Sequence, residues 1–234
     1  MPENWEKIGH RGAPRAFPGN TIRSFQRAVE LGCTMVECDV RRAADGVLVL
    51  AHDPDVSDRQ GRRYRIAERS SADLRALDLG AGEGVPTLAE LVAWAQGRCA
   101  VMADMKCEGD EVEAKVVQAL TLLPYQAKIV AGAGEASRRR FRDLDPALPL
   151  SLSLGAADHY LLDDAEFARL LLTLDTEAVT WIYPMLTASR IAILHTRGLR
   201  VYAWTVDDLP TMRHLLDMDV DGIISNRADL LQLL

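Results

Sequence analysis

The opening stretch of the chain holds the residue types of acid–base and metal chemistry. His10-Arg11-Gly12 is followed by Glu37-Cys38-Asp39, then by Asp45-Gly46 and by His52-Asp53. Side chains alternate across a strand, so on a strand through 36–40 Glu37 and Asp39 share one face and Val36, Cys38 and Val40 the other. The apolar set packs outward under helices and turns both carboxylates inward. Adjacent carboxylates repel, and burying them without a counter-charge is costly. A divalent cation removes that cost, and an oxygen donor set suits Mg²⁺ or Ca²⁺. A solvated strand end, ion-paired to Arg41 or Arg42, explains the pair equally well when it is taken alone.

The histidines add to the case. Imidazole changes charge near neutrality, and His10 ends the first strand. Asp45-Gly46 reads as a two-residue hairpin turn, which places His52 opposite Asp39. Two histidines at strand ends, converging on paired carboxylates, point to catalysis. Farther on, Asp104 and Lys106 share a strand face within Ala103-Asp104-Met105-Lys106. Asp104 can supply a third metal oxygen and Lys106 can meet a phosphate. A mutual ion pair at the strand end is the equal alternative.

The elements that must hold these groups alternate along the chain. β-rich runs at 7–10, 35–40, 100–106, 128–131, 148–154, 178–183, 200–206 and 221–225 are followed by helical patterns at 21–31, 88–96, 111–122, 135–144, 165–174, 188–196, 209–217 and 228–233. Strict alternation predicts a parallel sheet with crossover helices. Eight units fit an α/β fold of the TIM (β/α)₈ type, one domain over 1–234. Residues 54–86, rich in Arg, Asp, Ser and Gly, read as a small insertion after the second strand unit. Asn20 is the predicted cap of the first helix, Gly32 and Gly198 predicted left-handed helix ends, and Asp207 or Asp208 the cap before Pro210.

Composition narrows the partners. A net charge of −7 argues against a nucleic-acid or anionic-membrane surface. No apolar run reaches membrane-spanning length, and Met1 to Lys7 is polar, so neither stable membrane insertion nor a signal peptide is expected. Cys33, Cys38, Cys99 and Cys107 show no metal-site spacing and read as reduced thiols in a cytoplasmic protein. The basic run Arg138–Arg142 reads as a solvated helix face, and His159, His195 and His214 as surface or packing residues without carboxylate partners at metal spacing. Ser151 and Ser153 lack a nucleophile-elbow motif.

In order and spacing, His10-Arg11-Gly12, Glu37-x-Asp39 and Asp45-Gly46…His52-Asp53 resemble the glycerophosphodiester phosphodiesterase family. Pro86-Thr87-Leu88, Ala203-Trp204-Thr205-Val206 and Asp221-Gly222-Ile223-Ile224 resemble its later landmarks. The resemblance spans most of the chain. It implies hydrolysis of a small-molecule glycerophosphodiester to glycerol 3-phosphate and an alcohol. It implies His10 and His52 as acid and base, and Glu37, Asp39 and Asp104 as ligands of one divalent ion, Mg²⁺ or Ca²⁺ with Mn²⁺ an alternative. Arg11 and Lys106 are implied as phosphate contacts, and Trp204 as an aromatic lining the cleft. Two positions depart from the family pattern: Gly19 stands where a Glu is usual, and Asp104 stands in place of a longer Glu.

Overall fold

The computed structural model describes residues 5–109, 111–155 and 164–234. Its centre is a cylinder of eight parallel strands: β1 (Glu6–His10), β2 (Met35–Arg42), β6 (Ala100–Met105), β7 (Lys128–Ala131), β8 (Ser151–Leu154), β9 (Ala178–Ile182), β10 (Arg200–Trp204) and β11 (Gly222–Ser225). Their neighbour order is β7-β6-β2-β1-β11-β10-β9-β8. One parallel bridge, Val130 to Leu150, brings β8 back towards β7, so the barrel is nearly closed. This is the α/β TIM-barrel architecture that the alternation predicts.

Two apolar layers follow from strand parity. Ile8, Met35, Met102, Ile129, Tyr202 and Ile224 point inward and fill the barrel. Val36, Cys38, Val40, Val101 and Ala103 point outward and pack beneath helices such as α1 (Ile22–Glu30) and α3 (Leu88–Ala95). Phe25 of α1 is fully buried in that outer layer, and its truncation to Ala would cost about 3–5 kcal/mol. The inward layer is the floor of the site, because the next inward residues up the strands are His10, Glu37, Asp39 and Asp104.

Register sets those residues abreast. His10 pairs with Glu37 across β1 and β2, and Asp39 pairs with Asp104 across β2 and β6. They gather towards the C-terminal strand ends, where barrels of this kind place their chemistry.

The helix ends are mostly as expected. Gly32 and Gly198 adopt positive φ after their helices, and Asp208 accepts from Thr211 N at 2.9 Å to cap α8 (Leu209–Asp217). Asn20 is different. Thr21 caps α1, and Asn20 itself takes a left-handed φ of 61°.

The hairpin also differs from expectation. The antiparallel strand β3 (Leu48–Leu50) sets Leu50 opposite Val40 and Leu48 opposite Arg42. Its turn has three residues, Ala44-Asp45-Gly46, with Gly46 at φ 78° and Ala43 N donating to Val47 O. Three-residue hairpins put glycine in that left-handed place. The register therefore moves by one residue: Ala51 N donates to Asp39 O at 2.9 Å, and His52 is not opposite Asp39. Beyond it, β4 (Asp55–Ser57), β5 (Arg63–Arg65) and α2 (Ser71–Arg75) form the small excursion read in the sequence. It shares a minor core of Ala51, Ile66, Leu74 and Val85.

Candidate active site

Three carboxylates meet at the mouth of the barrel. Glu37, Asp39 and Asp104 each offer an oxygen, and these atoms lie within 4.8 Å of one another. Glu37 and Asp39 are buried. Burial, with Asp39 and Asp104 adding repulsion, pushes the Glu37 pKa well above the ordinary value, and burial likewise raises Asp104. Glu37 Oε1 and Asp104 Oδ1 are buried without a hydrogen-bond partner. Buried acceptors in that state are costly, and a divalent cation would satisfy both. The residues present fit such an ion, and among the described residues no other carboxylate, histidine or cysteine cluster does so.

Cations flank the carboxylates. Arg11 Nε lies 3.0 Å from Asp39 Oδ2, and Lys106 Nζ lies 3.2 Å from Asp39 Oδ1 and 3.0 Å from Asp104 Oδ2. The Arg11 backbone N, at φ 56°, donates to Glu37 Oε2 at 2.9 Å. The carboxylate pair is thus matched by Arg11 and Lys106 rather than by Arg41 or Arg42. Asn20 grips Asp39 at both ends: its Nδ2 donates to Oδ2 at 2.7 Å, and its Oδ1 accepts from Asp39 N at 3.1 Å. Gly19 leaves room beside Arg11, since a Cβ there would sit 3.2 Å from the arginine Cβ.

The histidines stand on either side. His10 Nε2 is 3.9 Å from Glu37 Oε2, and its Nδ1 lies 2.8 Å from Asn226 Oδ1. Asn226 Nδ2 donates in turn to Asp207 at 2.8 Å. Burial, with Arg11 adding to it, lowers the His10 pKa to about 4. His52 has left β3 and pairs its Nδ1 with Asp53 at 2.9 Å. Both rings line one cleft of about 420 Å³ with Arg11, Asp104, Lys106 and Trp204.

A sequence model of the glycerophosphoryl diester phosphodiesterase family matches residues 10–230. The chain belongs to this family. It is an enzyme of the phosphoric diester hydrolase class. A Mycobacterium tuberculosis protein named probable glycerophosphodiester phosphodiesterase 2 is 32% identical, over 96% of this chain and 88% of its own. A Caldanaerobacter subterraneus glycerophosphodiester phosphodiesterase is 25% identical, over 96% and 95%. Among solved structures, an Oleispira antarctica phosphodiesterase in complex with the product sn-glycerol-3-phosphate shares the fold. Its TM-score is 0.85 at 23% identity, covering 98% of this chain and 96% of that one.

Within this family frame, all eight residues singled out from the sequence gather at the barrel mouth. His10, Arg11, Glu37, His52, Asp104, Lys106 and Trp204 line the cleft, and Asp39 lies behind Arg11 and Lys106. Sequence reasoning gave Asn20 and Asp207 only as helix-cap candidates and did not single out Asn226. Asn226 directly follows the last strand, a position where polar residues of a barrel face the site. Outside the cleft, His195 belongs to no metal-holding cluster among the described residues but pairs with two carboxylates, with Nε2 2.8 Å from Asp221 and Nδ1 3.8 Å from Asp219. Asp221 precedes β11 and also accepts from Val201 N, so this is a brace at the opposite end of the barrel. Ser151 is buried against Thr180, and Ser153 accepts from Gly132 N. His159 lies outside the described residues. Among the described residues no helix is long and apolar enough to cross a membrane.

Proposed function

We propose that this chain hydrolyses glycerophosphodiesters to glycerol 3-phosphate and an alcohol, with His10 and His52 as the proton-transfer pair. The observation that carries this reading is one cleft lined by both imidazoles, two cations and the carboxylates of Glu37 and Asp104, with Asp39 converging on them from behind. The solved Oleispira antarctica relative that holds sn-glycerol-3-phosphate supports the same product class.

Glu37, Asp39 and Asp104 would hold one divalent ion, Mg²⁺, Ca²⁺ or Mn²⁺, which supplies charge neutralisation to the phosphoryl oxygens. Arg11 and Lys106 add positive charge on the same side; Arg suits a bidentate phosphate contact and Lys a point charge. Trp204 forms an apolar wall for the bound diester.

The relay behind His10 supports one placement of its proton. Asn226 spends its amide N–H on Asp207 and turns its oxygen to His10. His10 Nδ1 must then donate, which leaves Nε2 as a lone-pair acceptor facing the site. Its low pKa keeps it unprotonated near neutrality, so His10 serves as the base. His52, with Nδ1 held by Asp53, serves as the acid through Nε2. In the first stage His10 takes the proton of the glycerol C2 hydroxyl as that oxygen attacks phosphorus. His52 protonates the departing alkoxide. The cyclic phosphate is then opened by water, with His52 taking the proton and His10 returning one to the C2 oxygen.

The single domain of 1–234 and its four free cysteines suit a reducing cytoplasm. Glycerol 3-phosphate release from a panel of glycerophosphodiesters, with chelator and then with each ion restored, tests the function. A substrate lacking the C2 hydroxyl tests the route: equal turnover of that analogue would rule out internal attack.

A further inference from the structure

His52 sits on chain that is leaving the barrel. The last ladder residue of β3 is Leu50, and the excursion begins two residues after His52. One hydrogen bond upstream, Ala51 N to Asp39 O, ties this exit to β2. Among the described residues the His52 side chain bonds only to its neighbour Asp53, which moves with it. The next backbone tie downstream is Ile66 N to Pro54 O at 3.0 Å, so residues 52 and 53 carry no ladder hydrogen bond of their own to fix the imidazole to within the fraction of an ångström that proton transfer needs.

Arg41 supplies the missing restraint. It follows Glu37 and Asp39 at the same strand parity, so its side chain rises from β2 on the cleft side. Its Nε and Nη2 donate to the His52 carbonyl oxygen at 2.9 and 2.7 Å, and its Nη1 donates to the Lys106 carbonyl oxygen at 3.3 Å. Both carbonyls lie past the ends of their strands. The guanidinium is half-buried, and charged donors make the stronger hydrogen bonds. A planar fork of fixed geometry sets two chain segments at a fixed separation, which a flexible amine would not do.

We infer that Arg41 is a positioning residue, which locks the His52 and Lys106 backbones together so that the proton donor and the phosphate-binding cation keep one spacing. The inference rests on the role given to His52 above. Misplacement of a reacting group by about 1 Å costs on the order of 100-fold in rate.

The test uses Arg41→Gln, Arg41→Lys, His52→Ala and the Arg41→Gln/His52→Ala pair, with glycerophosphocholine as substrate and Mg²⁺ as the ion. Arg41→Gln is expected to lower kcat about 10- to 100-fold, with KM and Mg²⁺ affinity close to the wild-type values. Arg41→Lys, which keeps charge and one donor direction, should fall between, and it carries the test if the Gln variant does not fold. On the His52→Ala background the same change at 41 should cost much less than in the wild type, because only the Lys106 backbone is then left for it to hold. Wild-type kcat in folded Arg41→Gln, or an equal loss with and without His52, overturns the Arg41 assignment alone. Full activity of His52→Ala would overturn the reading of His52 and the assignment with it.

Discussion

The Asp104 carboxylate occupies the space where a side chain on Gly132 would begin. A Cβ built on Gly132 would lie 1.8 Å from Asp104 Oδ1, and Gly132 has a φ of 69°. The short third carboxylate and the glycine on the neighbouring strand end therefore go together. Replacing Gly132 by Ala should push the carboxylate away from Glu37 and Asp39. Supporting residues of this kind typically hold 10- to 100-fold in metal affinity, and titration calorimetry with Mg²⁺ or Mn²⁺ should show a loss of about that size. Unchanged affinity in a folded Gly132→Ala variant would refute the coupling.

Asn20 offers a cleaner dissection because its φ is positive. Asn20→Gly keeps the backbone free of strain and removes only the two bonds to Asp39. It should lower stability by about 1–3 kcal/mol and weaken metal binding. Asn20→Ala should be worse by the cost of a left-handed β-carbon, about 1 kcal/mol. Urea unfolding of both variants separates the two effects; equal stabilities would deny the backbone its share.

Metal-linked stability should depend on pH with a definite sign. The folded-state pKa of Glu37 is raised above its unfolded value. Without metal, its contribution is fully present below the unfolded pKa and is lost as pH rises through the folded one. A divalent ion replaces that proton. The rise in melting temperature on adding Mg²⁺ to chelator-treated protein should therefore grow from mildly acidic to mildly alkaline buffer. A gain that is flat with pH would place the ion elsewhere.

Asn226→Asp puts a carboxylate on His10 Nδ1. An opposite charge favours the imidazolium, so the His10 pKa should rise from its lowered value. As a base His10 must be unprotonated, so the acid limb of kcat/KM should move to higher pH. An unmoved limb would separate His10 from the titration that controls turnover.

His10→Ala and His52→Ala should each lower kcat by about 100-fold or more, with far-ultraviolet circular dichroism unchanged. A folded variant with wild-type turnover would remove that histidine from the mechanism.

Parity along a strand was enough to read Glu37 with Asp39 and Asp104 with Lys106, because a barrel strand has one inner face. Turn length was not readable to the same degree. Asp45-Gly46 suits both two- and three-residue hairpins, since glycine takes positive φ in either. The longer turn put Ala51 opposite Asp39, and His52 reaches the cleft only because the strand has already ended. Asn20 was misplaced for a related reason: Asn and Thr are both good caps, and a helix starting one residue later freed Asn20 to reach Asp39. The His10–Asn226 contact joins positions 216 apart, and no local pattern announces it.

That contact also orders events in time. β1 is flanked by β2 and β11, and its histidine contacts the residue just past β11 through Nδ1. A ribosome that has made the first half of the chain has already released both histidines and all three carboxylates. The contact that orients His10 forms only once β11 docks beside β1. On the proposed mechanism, a chain cut before β11 would keep both histidines and all three carboxylates yet lack the Asn226 that orients His10.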